Sequence, residues 1–243
     1  MQLLIGGLIA ATAIAATTVG VQNHSASADS VPVTSRAQIE QIVHDYILDH
    51  PEILPEAMER LQTKRMGAVV EEKRVQIETP YRGAWEGAEN GDVVLVEFFD
   101  YACGYCRASL ADIKKLLAED TKLKVVYREL PILSNESNKA AHVSLLAAEQ
   151  GKYSAFHKAL YDSGRVTEES ILAAAASAGI DRKAAQKAIA DDSYTREIES
   201  NIKLAQALGA GGTPTFVVGD KVLGGAVGYD ALKRAIAEAR AKK

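Results

Sequence analysis

Apolar and polar positions follow three rhythms along this chain. Residues 3–21 form an almost unbroken apolar run, and residues 1–28 contain no Asp, Glu, Lys or Arg. Followed by the small-x-small triplet Ala26-Ser27-Ala28, this stretch reads as a secretory signal peptide over 1–28, with Asp29 as the new N-terminus. An uncleaved membrane anchor of ~20 residues is the alternative. Either reading exports the body of the chain.

Over residues 35–74 the spacing becomes helical. Ser35 and Gln38 form a capping-box pattern, Ile39, Ile42, Val43, Tyr46 and Ile47 share one stripe, and Pro51 breaks it. A second helix with Pro55 in its first turn carries Leu54, Ala57, Met58 and Leu61, then continues past Gly67 to Val69 and Val70. Such a stripe has to be covered, either by the rest of the chain or by another copy in an oligomer. Pro80, Gly83, Gly87 and Asn90-Gly91 then mark a loop and a domain boundary.

The third rhythm is the continuous run Val93–Phe99, VVLVEFF, which predicts a strand buried on both faces. It passes through Asp100-Tyr101-Ala102-Cys103-Gly104-Tyr105-Cys106 into a helical pattern of Leu110, Ile113, Leu116 and Leu117. Residues 124–130 predict the next strand, so strand, helix and strand make a right-handed βαβ unit with the cysteines at its first turn. Helices are predicted over 139–150, 152–163, 168–178 behind Thr167, 182–190 behind Asp181, and 194–208 behind Ser193. Their alanine density suits closely packed helices. Thr215–Val218 and Val222-Leu223 flank Gly219-Asp220 as a hairpin, and a helix over Tyr229–Ala241 follows.

Composition narrows the chemistry. Of 243 residues, 28 are Lys or Arg and 32 are Asp or Glu, a net charge of −4 that speaks against nucleic acid or an anionic membrane surface as partner. The two cysteines, Cys103 and Cys106, exclude a disulfide-stapled scaffold and a four-cysteine zinc site. At a helix start, Cys103 lies beside unsatisfied amides and the positive dipole end, which lowers its pKa, while Cys106 sits one turn inside and is shielded. Cys103 then reads as the attacking nucleophile and Cys106 as the resolving thiol. A plain structural disulfide would close too short a loop to stabilise the chain much. A Cu(I) carrier reading uses the same two thiolates, but none of His24, His44, His50, His142 and His157 lies in the turn to complete a shell, so no metal site is assigned.

Glu97 is the acid in the otherwise apolar strand, six positions before Cys103. Burial there raises its pKa and suits it to exchange a proton with Cys106; an edge-facing, solvated acid is the alternative. Pro214, in Gly212-Thr213-Pro214-Thr215-Phe216, belongs at a strand start or in a turn, because it cannot donate a ladder bond.

Together, Glu97 to Cys106, Thr213-Pro214-Thr215-Phe216 and the helical segment between them resemble the thioredoxin superfamily, in its DsbA-like branch of exported bacterial thiol:disulfide oxidoreductases. The resemblance covers roughly residues 92–243. It implies an α/β thioredoxin-like fold over 79–243 with an inserted helical subdomain at about 138–208, preceded by an N-terminal helical arm over 29–78. It also implies that Pro214 is cis and faces Cys103, that Thr213 offers its backbone to an extended substrate by strand addition, that Gly104 and Tyr105 meet the substrate, and that Glu97 is the buried acid. Gly104-Tyr105 and Thr213 look like the isomerases and reductants of the branch; strongly oxidising members carry Pro-His and Val there. The arm, with Tyr46-Ile47-Leu48 and His50-Pro51-Glu52-Ile53-Leu54, is similar to that of the copper-sensitivity suppressor ScsC proteins, some of which trimerise through it.

The resemblance thus implies a periplasmic disulfide isomerase or reductant with no cofactor beyond the Cys103–Cys106 pair. Exported proteins with thiols or disulfides would be its substrates, a membrane thiol reductant its donor, and residues 35–74 a homotrimer contact. A dithiol oxidase served by a membrane oxidase, and a copper-protective thiol module, are the alternatives.

Overall fold

The computed structural model describes residues 35–242. The expected signal peptide or anchor, residues 1–28, lies outside the described residues. The chain divides into two compact units, Met1–Pro51 and Glu52–Lys243.

In the first unit, α1 (Arg36–Asp49) starts where Ser35 Oγ accepts the Gln38 amide at 3.3 Å. It stops where the His50 amide donates to Tyr46 at 2.9 Å, just before Pro51. Its apolar positions Ile39, Ile42, Val43 and Tyr46 stay about half exposed, and no residue of the helix is buried.

The second unit opens with α2 (Ile53–Glu78), one continuous helix through Gly67. Three strands and a helix follow: β1 (Trp85–Gly87), β2 (Val93–Phe99), α3 (Gly104–Glu119) and β3 (Leu123–Glu129). The insertion comprises α4 (Asn135–Glu149), α5 (Tyr153–Asp162), α6 (Glu168–Ser177), α7 (Arg182–Ala190) and α8 (Thr195–Ala207), and then come β4 (Thr215–Val218), β5 (Lys221–Gly224) and α9 (Tyr229–Ala241). Thr167 and Asp181 cap α6 and α7 as expected. Ser193 does not cap α8; it lies in a 3-10 turn over Asp192–Tyr194, where Asp191 accepts its amide. The loop expected over 80–91 contains β1, which pairs antiparallel with the end of the sheet that β3 offers.

The sheet runs β1-β3-β2-β4-β5, with β2 parallel to β3 and the other pairs antiparallel. β2 is therefore central, and alternation along it assigns its side chains to two cores. Leu95 and Phe99 join Cys103, Cys106, Ile113 and the insertion on one face; Val96 and Phe98 join Val126, Val217 and Leu204 on the other. Glu97 shares the parity of Leu95 and Phe99, which sets it on the cysteine side.

The second face is closed by α8 and by the C-terminal half of α2, through the buried Val70 and Ile77. Buried Arg128 of β3 locks that end of α2. Its guanidinium donates to the carbonyls of Gln76, Ile77 and Thr79, and to Glu197 and Asn201 of α8 at 3.0 and 3.1 Å. It thus takes over the role of a C-cap for carbonyls the helix itself leaves unpaired. The N-terminal half of α2 keeps Leu54, Met58 and Leu61 exposed. Among the described residues no helix is long and apolar enough to cross a membrane.

Candidate active site

The cysteines occupy the junction of β2 and α3. Asp100 accepts the Cys103 amide on its backbone carbonyl at 3.0 Å, which closes the turn, and Cys103 itself is the N-cap residue of α3. Its Sγ accepts the Cys106 amide at 3.4 Å, so the sulfur takes the place that a Ser or Asp oxygen holds in an ordinary cap. Both cysteines are free thiols, and Cys103 keeps 6% of its surface against 1% for Cys106.

Across the site the Thr213-Pro214 peptide is cis. The Cys103 thiol donates to the Thr213 carbonyl at 3.2 Å, although 110 residues separate the two. The loop is held from behind: Thr215 Oγ1 donates to Gly212 at 2.8 Å, and the Gly225 amide donates to Pro214 at 2.8 Å. An open groove of about 690 Å³ leads from Thr213 past Gly212 and Leu223 to Gln62 and Met66 of α2. Tyr105, 71% exposed, and Gly104, where an added Cβ would meet nothing within 4 Å, form the outer side of the cysteine turn.

The electrostatics separate the two sulfurs. Burial pushes the Cys103 thiol up, but the side chain of Thr213, the amides of Cys106 and Tyr105 and the Cys106 side chain outweigh it, and its pKa ends below 9.0. Burial, followed by the charge of Glu97, pushes Cys106 far above that value. Glu97 is fully buried, its Oε1 has no hydrogen-bond partner, and burial with the neighbouring Cys103 holds its carboxyl well above the usual range. It is a buried acid beside the two cysteines, where burial favours its protonated form. The arrangement can expose one ionised sulfur, keep the other protonated, and offer that second sulfur a proton acceptor without a salt bridge.

The structure thus brings Glu97, Cys103, Cys106, Thr213 and Pro214 to one place, with Gly104 and Tyr105 at its rim. His142 and His157 are packing residues of the insertion. His157 Nδ1 bonds the hydroxyls of Tyr101 at 3.0 Å and Tyr153 at 3.2 Å, and burial pushes its pKa down to about 3. His44 is exposed on α1. Among the described residues no group of three or more His, Cys, Asp or Glu side chains is placed to hold a metal ion.

One residue of the site escapes sequence reasoning. Asp100, 1% exposed, accepts three backbone amides on its carboxylate, those of Ala102 at 2.7 Å and of Ile132 and Leu133 at 2.9 Å each. An acid directly after VVLVEFF was the available signal.

Residues 94–237 match the DSBA-like thioredoxin domain, more than half of the sequence. The chain belongs to that family. Residues 36–68 match the N-terminal domain of the copper resistance protein ScsC. Among solved structures, a thioredoxin-like oxidoreductase from Silicibacter pomeroyi DSS-3 is 40% identical, with a TM-score of 0.65 over 69% of this chain and 98% of that one. A linker-deletion variant of Proteus mirabilis ScsC is 28% identical, with a TM-score of 0.68 over 89% of this chain and all of that one. Among curated proteins, the Na(+)/H(+) antiporter NhaA 3 of Salinispora tropica is 27% identical over 163 residues, 66% of this chain. The chain spans only a quarter of that relative's length. Its likeness to this DsbA-like protein is thus to one part of a longer polypeptide.

Proposed function

We propose that the protein is an exported thiol:disulfide oxidoreductase, acting as a disulfide isomerase or reductant on misoxidised proteins. The observation that carries this reading is the pairing of an N-capping Cys103 of lowered pKa, facing the Thr213 carbonyl, with a shielded Cys106 of raised pKa beside Glu97.

In the reduced enzyme the Cys103 thiolate attacks a substrate disulfide. A mixed disulfide forms through Cys103, and the other substrate sulfur leaves as a thiolate. A different thiolate of the substrate can then attack the substrate sulfur of the mixed disulfide, forming a new substrate disulfide and releasing Cys103 as a thiolate, which is isomerisation. Alternatively Cys106 gives its proton to the Glu97 carboxylate and attacks Cys103 Sγ, expelling the second substrate sulfur and leaving the Cys103–Cys106 disulfide, which is reduction. Glu97 must be ionised to accept this proton, and its raised pKa makes its carboxylate a stronger base than an ordinary one.

The groups that stabilise the Cys103 thiolate are the side chains of Thr213 and Cys106 and the amides of Cys106 and Tyr105; the isomerase or reductant direction is supported by the Gly104-Tyr105 dipeptide and by Thr213 before the proline. The uncharged apolar segment at residues 1–28 supports export to the periplasm, and a protein kept reduced there needs a membrane thiol reductant.

Replacing Cys106 by Ala should accumulate mixed disulfides through Cys103, visible on non-reducing gels after alkylation of cell extracts. The wild-type pool should be trapped mostly reduced; a mostly oxidised pool assigns the dithiol oxidase role instead. Stoichiometric Cu(I) binding with no turnover of a scrambled disulfide substrate would assign the copper-protective role.

A further inference from the structure

Asp100 is where β2 has ended and the cysteine turn begins, and its main chain serves both sulfurs. Its carbonyl accepts the Cys103 amide at 3.0 Å. Its backbone also acts on Cys106. Burial, the Glu97 charge and Cys103 all oppose ionisation of that thiol, whereas the Asp100 backbone favours it, as only a main-chain N–H can. The placing of this one residue therefore bears on whether Cys106 can become the thiolate that resolution requires.

The helical insertion reaches that residue. α5 buries Tyr153, Phe156, His157, Leu160 and Tyr161, and the Tyr161 hydroxyl donates to the Asp100 carbonyl at 3.2 Å, alongside the Cys103 amide. Tyr101, the next residue, is held separately: its hydroxyl bonds Ser144 of α4 at 2.9 Å and His157 at 3.0 Å, and its ring lies 5.0 Å from that of Tyr161. Burial and then the charges of Glu97 and Cys106 keep the Tyr161 phenol protonated, so it stays a donor, close to the resolving pair. A buried tyrosine hydroxyl needs a partner. The partner taken here is a carbonyl already paired within the turn, so the bond fixes the direction of that carbonyl rather than satisfying it.

We propose that Tyr161 is a positioning residue for the resolving step: from the helical insertion it fixes the Asp100 main chain, and with it the alignment of Cys106 on Cys103 in the mixed disulfide. This rests on the exchange activity proposed above. In that step the Cys106 sulfur bonds Cys103 Sγ, the bond from Cys103 to the substrate breaks with its electron pair leaving on the substrate sulfur, and the Cys106 proton passes to Glu97. Tyr161 acts through Asp100 and gives up no proton. The first attack does not depend on it, because Cys103 Sγ is held by the Thr213 carbonyl and the Cys106 amide, bonds in which Tyr161 has no part.

The test compares wild type, Tyr161→Phe and Tyr101→Phe. Reduced protein is mixed with glutathione disulfide, and acid quench with mass spectrometry follows the mixed disulfide and the Cys103–Cys106 disulfide separately. Tyr161→Phe removes one oxygen and keeps the ring against Tyr101 and His157. It should form the mixed disulfide within about 2-fold of the wild-type rate and resolve it about 10-fold more slowly. The pH profile of resolution should move upward and that of the first attack should stay in place. Tyr101→Phe loses a hydroxyl of the same cluster but no bond to Asp100, and should resolve within about 2-fold of wild type.

Equal slowing of both steps, equal effects of the two variants, or a lowered thermal midpoint with rates and profiles unchanged overturns the proposal. Should Tyr161→Phe not fold, a chain with 3-fluorotyrosine in place of Tyr161 decides. It keeps the hydroxyl as a stronger donor and should resolve at least as fast as wild type; slower resolution overturns the role. A wild-type chain that forms no mixed disulfide overturns the exchange reading itself. One that forms and resolves it, with Tyr161→Phe indistinguishable from it, overturns only the role of Tyr161.

Discussion

Cys103 and Cys106 are chemically alike and one helical turn apart, yet they ionise in opposite directions. Position decides it: the first sulfur sits at the helix end among donors, and the second sits one turn in, buried beside an acid. Alkylation of the reduced protein should therefore label Cys103 with a midpoint below pH 9.0 and leave Cys106 untouched, a result read by peptide mass mapping across a pH series. Glu97 carries a second, thermodynamic signature. Its folded pKa is raised, so the folded state holds a proton that the unfolded state releases. The resulting stability is fully present below the ordinary value of 4.5 and is lost as pH rises through the folded pKa. Glu97→Gln should flatten this decline in a series of thermal midpoints from pH 4.5 upward. The same variant should slow resolution of the mixed disulfide by about 10²-fold, leaving the first attack by Cys103 unchanged in rapid-quench experiments. Cys103, Cys106 and Glu97 were legible in the sequence because cysteine spacing and an acid inside an apolar strand are local signals. Asp100 was not, because two of its three partners, Ile132 and Leu133, come from a segment more than thirty residues away that no local pattern connects to it.

The elements follow from the sequence where one face is buried and periodic. β2, α7, α9 and the helix after the cysteines stand where their spacing and caps place them. β1 was illegible because Trp85-Glu86-Gly87 is only three residues long, lies among turn-forming residues, and becomes a strand only by pairing with β3. α2 shows the opposite case, a helix that continues through a glycine. An added Cβ at Gly67 would meet the Asp220 carbonyl at 3.4 Å, an ordinary contact. Gly67→Ala should accordingly stabilise the protein by about 0.5–1 kcal/mol in urea unfolding, through helix propensity. Arg128→Met should act in the other direction. It leaves Glu197, Asn201 and the carbonyls at the end of α2 without their donor, and should cost about 3 kcal/mol by the same measurement.

For the whole molecule, the half-exposed stripe of Ile39, Ile42, Val43 and Tyr46 on α1, and separately Leu54, Met58 and Leu61 on α2, are apolar positions that one copy of the chain leaves in water. If a homotrimer forms through residues 35–74, Ile42→Lys with Tyr46→Lys should give monomers in light scattering. The variant should keep simple reductase activity and lose isomerase activity. An unchanged oligomeric state would remove this role from the stripe. The exposed part of α2 is rigidly continuous with the part that Val70, Ile77 and Arg128 fix to the sheet. With a rise of about 1.5 Å per residue, Leu54 stands about 24 Å along the axis from Val70. The helix is thus both spacer and dial. One residue inserted between Thr63 and Met66 would rotate Leu54, Met58 and Leu61 by about 100° around the axis as seen from the cysteines, and an insertion of seven would nearly restore their heading at a longer reach. Length and phase of α2, more than its composition, set the bearing on which any bound neighbour would see the reactive sulfur.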